Sequence, residues 1–145
     1  MSDIAGTPIF GTPEPGATYT DRPGAYAFLF NKHFELAILQ TNFGTFLPGG
    51  GLDPGEDELA GLTRELQEEM GVKVQTAELV CRAGQYLYSR HYQKHFKKIG
   101  SFYRVQLAQP IRLKMQKDHE LLWMDKRQAG LELSEEFQRW AIERG

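Results

Sequence analysis

The stretch GGGLDPGEDELAGLTRELQEEMGV, residues 49 to 72, changes its hydrophobic period midway, and the layout of the chain is read outward from that change. Gly49 to Gly51 end an extended run and open a loop, because consecutive glycines disfavour both helix and strand. Asp53 with Pro54-Gly55 gives a turn. From Asp57 onward Leu59, Leu62, Leu66 and Met70 recur at helical spacing, with acids in the first turn and Gly71 where a C-cap glycine belongs. At about 100° per residue those four share one arc. Glu65, Glu68 and Glu69 share another, about 100° wide. Two such charges about 5 Å apart repel by roughly 3 kcal/mol at an effective dielectric of about 20, so the cluster either spreads into water or binds a cation.

Upstream, AYAFLF (25 to 30) and ELAILQ (35 to 40) read as strands joined by the turn Asn31 to Phe34, in which His33 sits. TFLP (45 to 48) is a third extended piece. Residues 1 to 24 carry so many prolines and glycines that they are expected to form an irregular lead-in arm, with Phe10 and Tyr19 pinning it to the domain of residues 25 to 145. Downstream, Val72 to Val74, Ala77 to Ser89, Ser101 to Ala108 and Glu120 to Asp125 look extended, Trp123 being a core residue of the last. Arg90 to Gly100 reads as a hairpin loop, and Ser134 as the cap of a terminal helix with Phe137, Trp140 and Ala141 as its buried stripe.

The chain has 145 residues, 41% apolar and 25% charged, which suits one soluble domain and is too hydrophobic for a disordered chain. Its longest apolar run, Ala25 to Phe30, is far too short to span a membrane, and no signal peptide pattern opens the chain; a cytoplasmic protein is expected. A lone Cys81 excludes an internal disulfide and reads as strand packing. The net charge of −2 hides a segregation. Residues 53 to 69 hold seven acids against Arg64, whereas residues 79 to 117 hold no acid and nine bases: Arg82, Arg90, Lys94, Lys97, Lys98, Arg104, Arg112, Lys114 and Lys117. Such blocks are commonly solvated faces. A ligand bringing cations to the acids and phosphates to the bases would unite them.

Gly50, Glu56, Arg64, Glu65, Leu66, Glu68, Glu69, Gly71 and Val72 fill every fixed position of a glycine, five residues, Glu, seven residues, Arg-Glu-aliphatic-x-Glu-Glu-x-Gly-aliphatic pattern. It resembles the Nudix box of the Nudix (MutT-like) hydrolases. The resemblance implies an α/β/α sandwich with a mixed central sheet, and a pyrophosphohydrolase that cleaves a nucleoside diphosphate linked to another group X. It further implies Mg²⁺, or Mn²⁺, at Glu65, Glu68 and Glu69 with the Gly49 carbonyl. Oxygen donors of this kind select hard cations. Arg64 would orient the glutamates and Glu56 brace the loop. Glu65 and Glu68 are both candidates for the base that takes a proton from the attacking water, and Glu120 is the best-placed acid from a downstream loop.

The region QYLYSRHYQKHFKKIG, residues 85 to 100, mixes aromatics with cations; some of these aromatics are core, while Tyr88, Arg90, Lys94 and Lys97 are the substrate-binding candidates. Tyr88 stands at a spacing from the box that resembles the tyrosine of dinucleoside polyphosphate hydrolases. His91 and His95, four apart, lack a third zinc ligand nearby. A small nucleotide is therefore the expected partner, with a capped RNA end still open, no membrane, and a homodimer compatible with the family. Two alternatives differ in class or substrate: a catalytically silent nucleotide-binding module, and a diphosphoinositol polyphosphate hydrolase drawing on the basic block.

Overall fold

The computed structural model describes residues 6–111 and 119–145. Strand β1 (Ile9–Phe10) is followed by β2 (Thr20–Phe28), β3 (Leu36–Thr41), β4 (Gly44–Phe46) and β5 (Gly49–Gly51). Helix α1 (Glu58–Met70) precedes the long strands β6 (Val74–Ser89) and β7 (Lys94–Leu107). Strand β8 (Glu120–Met124) and helices α2 (Lys126–Glu132) and α3 (Glu136–Ile142) complete the chain. One sheet, mixed, runs β1-β6-β7-β2-β5; the other is antiparallel, β4-β3-β8. Parallel pairing joins β2 to β7 and β1 to β6.

Alternation along the strands builds a core on each side. Ala25 and Ala27 of β2 and Leu29 just past its end, with Ala37 and Leu39 of β3, meet Leu62, Leu66 and Met70 of α1. Their neighbours Tyr26, Phe28, Leu36 and Ile38 meet Phe102, Ala129, Phe137 and Ala141. Successive strand residues face opposite ways, so one helix is needed per face, which gives the α/β/α sandwich. Phe28, Phe102 and Phe137 are fully buried, and each contributes about 1.5–3 kcal/mol by leaving water.

Helix α1 starts where Asp57 accepts a hydrogen bond from the Ala60 amide and stops where Gly71 turns left-handed, φ 64°. Its buried stripe is not the one periodicity gives. Leu59 is 48% exposed, and Glu69 is buried with Leu62, Leu66 and Met70. Leu52 and Glu56 fold back over Gly61, where a Cβ would collide with Leu52.

Several expectations are corrected. Regular structure begins inside the lead-in: β2 starts at Thr20, and Phe10 docks on Trp140 with ring centroids 6.1 Å apart. The glycines 49 to 51 form a strand paired with Gly24 to Tyr26, because close backbone approach is available only there: a Cβ on Gly49 would strike the β2 main chain. The supposed loop Arg90 to Gly100 is mostly strand. Its aromatics and cations alternate at period two, pairing Tyr86 with Lys97 and Tyr88 with His95, so that the turn is only residues 90 to 93. Ser134 caps no helix; its hydroxyl accepts from the Thr45 amide, and the Phe137 amide near the start of α3 is satisfied by Gln85 instead. Helix α2 was hidden by its length, although Asp125 caps it at Gln128. Trp123 is 36% exposed and is no core residue.

Candidate functional site

The box builds a hub around Arg64. Its Nε and one terminal nitrogen grip both oxygens of Glu56 at 2.9 and 3.0 Å, and that nitrogen also donates to the Gly51 carbonyl at 3.2 Å. The other terminal nitrogen reaches Glu65 at 3.0 Å and Glu68 at 3.3 Å. A planar fork can do this because its donors diverge at fixed angles. Arg64 holds the Glu56 carboxyl far below its ordinary range, at about 2. Glu56 in turn accepts from the Asp53 amide at 2.9 Å, tying the loop to the helix. At the other end of the helix's acid arc, Glu69 accepts from the Gly49 amide at 2.9 Å. The N-terminus of α1 is pinned separately: Arg82 of β6 donates to Glu58 at 2.9 Å and to Ser101 at 3.1 Å.

The acids are held at electrostatic cost. Burial raises the Glu69 carboxyl to about 8, with Glu65 and Glu68 adding to the shift against the Gly49 hydrogen bond. Glu65 is raised in the same way, chiefly by burial, while Arg64 opposes it. The Glu65 carboxylate also lies over Gly50, where a Cβ would come within 3.0 Å of it. The arrangement fits a hard divalent cation: the donors are carboxylate and backbone oxygen, and the absent glycine side chain leaves room beside Glu65. Among the described residues no three His, Cys, Asp or Glu side chains already converge tightly enough to hold an ion by themselves. Backbone and substrate oxygens would complete its shell.

These acids border a cleft of about 530 Å³. Beside Gly51 lies the guanidinium of Arg22, which is also 5.7 Å from the Tyr92 ring and 6.0 Å from that of Phe96. Farther along the wall, Phe43 from the β3–β4 turn stacks on His91 from the β6–β7 turn, centroids 4.6 Å apart and planes within 2°. His91 stacks in turn on Tyr92 at 4.5 Å. The cleft also presents Tyr26 and the Lys98–Glu135 ion pair, 2.9 Å long. Burial pushes the Tyr26 hydroxyl well above the usual phenol range, reinforced by Glu135.

Of the residues singled out by sequence, Gly49, Glu65, Glu68 and Glu69 come together with Tyr88 and Arg90 around this cleft. Arg64 stands behind them. Glu120, Lys94 and Lys97 do not line it. Lys97 lies over the Tyr86 ring at 5.7 Å and Lys94 over Phe96 at 6.0 Å. Glu120 pairs with Gln40 on an exposed position of β8. Much of the basic block is engaged within the fold: Arg82 with Glu58, Arg104 with Glu78 and Lys98 with Glu135. Arg112, Lys114 and Lys117 lie outside the described residues. His91 and His95 belong to different aromatic groups, His95 lying between Tyr19 and Tyr88, so their spacing does not make a metal pair. Cys81 is half buried with its thiol raised by burial, as suits packing. Arg22, Phe43, His119, Glu135 and Gln138 line the cleft but carried no local signal, since they converge from separate segments.

The sequence matches the NUDIX domain family over residues 20–143. The chain belongs to the NUDIX family. No curated protein matches it in sequence. Among solved structures it is similar to the MutT protein from Methanosarcina mazei Go1, with 21% identity, coverage of 87% of this chain and 93% of that one, and a TM-score of 0.71. It is also similar to the MutT NUDIX hydrolase from Burkholderia pseudomallei, with 21% identity, coverage of 86% and 98%, and a TM-score of 0.65. A binary complex of C. elegans Ap4A hydrolase shares 16% identity, with coverage of 86% and 93% and a TM-score of 0.65. At these identities the likeness is one of fold. Family membership makes the chain an enzyme of the Nudix hydrolase type, a pyrophosphohydrolase. No helix among its described residues is long and apolar enough to cross a membrane.

Proposed function

We propose that this Nudix hydrolase uses Mg²⁺, with Mn²⁺ as a substitute, to cleave a phosphoanhydride bond in a nucleoside diphosphate linked to X, of the nucleoside triphosphate or dinucleoside polyphosphate type. One observation carries the reading: a single cleft is acidic at one end, cationic at Arg22, and aromatic at Phe43, His91 and Tyr92. A nucleoside polyphosphate has that order of chemistry. Its phosphates suit the acids only through a divalent ion, its middle suits a guanidinium, and its base suits stacked rings. An inositol pyrophosphate has no planar ring to place at the aromatic end.

Bound Mg²⁺ would neutralise charge on the diphosphate and lower the pKa of a coordinated water. Glu65, Glu68, Glu69 and the Gly49 carbonyl are the residues that would hold it. Glu65 is the better proton acceptor of the two carboxylates that the sequence leaves open, because burial raises its pKa while Arg64 fixes its position. Arg90 and Tyr88 close the cleft beside the aromatic rings. Glu120, exposed on β8, is left out of this machinery. A capped RNA end carries the same diphosphate chemistry and falls within the class, as do a cytoplasmic setting and a homodimer. The test is a substrate panel with product identification in ¹⁸O water. Mg²⁺-dependent hydrolysis of a nucleotide with label on one product phosphate supports the proposal; nucleotide binding without turnover of any substrate overturns it.

A further inference from the structure

The register of β8 against β3 decides which residue at that sheet edge can meet substrate. Leu39 pairs with Leu121 and Gln40 with Glu120. Leu39 and Leu121 both pack in the core beneath α1. Faces alternate along a strand, so Glu120 turns away from that side and His119, one residue earlier, returns to it. Leu39, Thr41 and His119 all line the cleft, as do Glu65, Glu68 and Glu69. The imidazole has an unusual feature: its Nδ1 is sealed from solvent with no hydrogen-bond partner among the described residues. A buried orphan N–H costs more than a bare acceptor, which places the ring proton on Nε2. The cleft wall thus carries an N–H donor, and the acceptor it matches is an anionic oxygen of the ligand.

We propose that His119 is the β8-edge residue that touches substrate, donating its Nε2–H to a non-bridging oxygen of the polyphosphate chain. The inference rests on the nucleotide hydrolase reading. Two measurements test it. Nitrogen-15 spectra of the imidazole should show the Nε2–H tautomer in the free enzyme, and its signal should move when Mg²⁺ and a non-hydrolysable nucleoside triphosphate analogue are added. Finding the Nδ1–H tautomer, or no movement in the bound complex, overturns the proposal. In kinetics, His119→Gln places an amide N–H near Nε2 and should stay within about 5-fold of wild type. His119→Asn, whose amide falls near Nδ1, and His119→Ala should each lose about 10- to 100-fold in kcat/KM, the range expected for a hydrogen bond to a charged group. Equal activity in all three variants, or retention by Asn and loss by Gln, overturns it. Wild-type protein that binds the analogue with the spectral shift but hydrolyses nothing would sink the hydrolase reading while leaving the His119 contact standing.

Discussion

The two ends of the cleft are held by different physics. At the acid end, every carboxylate is fixed by a charged fork or a backbone amide at 2.9 to 3.3 Å, within one loop-helix unit braced by Arg64 and Glu56. At the aromatic end, two turns from distant parts of the chain meet through ring stacking and one long bond, Arg90 to the Phe43 carbonyl at 3.4 Å. The first arrangement positions charge where geometry must be exact for chemistry. The second offers planar faces that tolerate different bases. A rigid reacting end and an adaptable recognising end separate rate from selectivity.

That contrast breaks if substitutions at the two ends have the same kinetic signature. The largest effect belongs to Glu65→Gln and Glu68→Gln, expected to lower kcat by about 1,000-fold, since each removes a charge the transition state uses. Steady-state kinetics at saturating Mg²⁺ and nucleotide checks this. Arg64→Lys comes next. A lysine cannot serve Glu56, Glu65 and Gly51 together, so kcat should fall about 100-fold and unfolding stability by about 2 kcal/mol, measured by denaturant titration. Phe43→Ala and Tyr92→Ala should raise KM for the nucleotide about 10-fold with kcat nearly unchanged, the loss of one stacked base, as steady-state kinetics would show.

The smallest effect sharpens the comparison through pH. Folded Glu69 titrates at about 8, above the ordinary 4.5 of the unfolded chain. Between those values the folded state holds the extra proton. Stability from this group is therefore fully present at low pH and is lost as pH rises toward 8. Melting temperatures in a chelator should fall from pH 6 to pH 8, and Mg²⁺, which binds the carboxylate form, should flatten the slope.

How much of this was legible in sequence follows the same division. The acid end lies within 24 consecutive residues, where period, caps and the spacing of Glu65, Glu68 and Glu69 are all local. Even there the burial of Glu69 was invisible, because it depends on the folded loop bringing the Gly49 amide onto it. The aromatic end required the register of a long hairpin whose alternating lysines and aromatics resemble a polar loop. Phe43 and His91 are far apart in the chain, as are Lys98 and Glu135, and no spacing relates them. Glu120 shows the sharpest limit: choosing the acid of DHELLWM by chemistry alone misses the face, because a strand decides by parity.

The central claim, that buried acid is kept for chemistry at the expense of stability, is tested most directly by phosphate release from Glu69→Gln assayed on protein of known melting temperature. The account predicts a variant that melts roughly 3 °C higher without metal at pH 8, as a gain of about 1 kcal/mol gives in a chain of this size, and that releases product from nucleotide in Mg²⁺ about 100-fold more slowly than wild type. A variant that melts lower and hydrolyses as fast as wild type would contradict it.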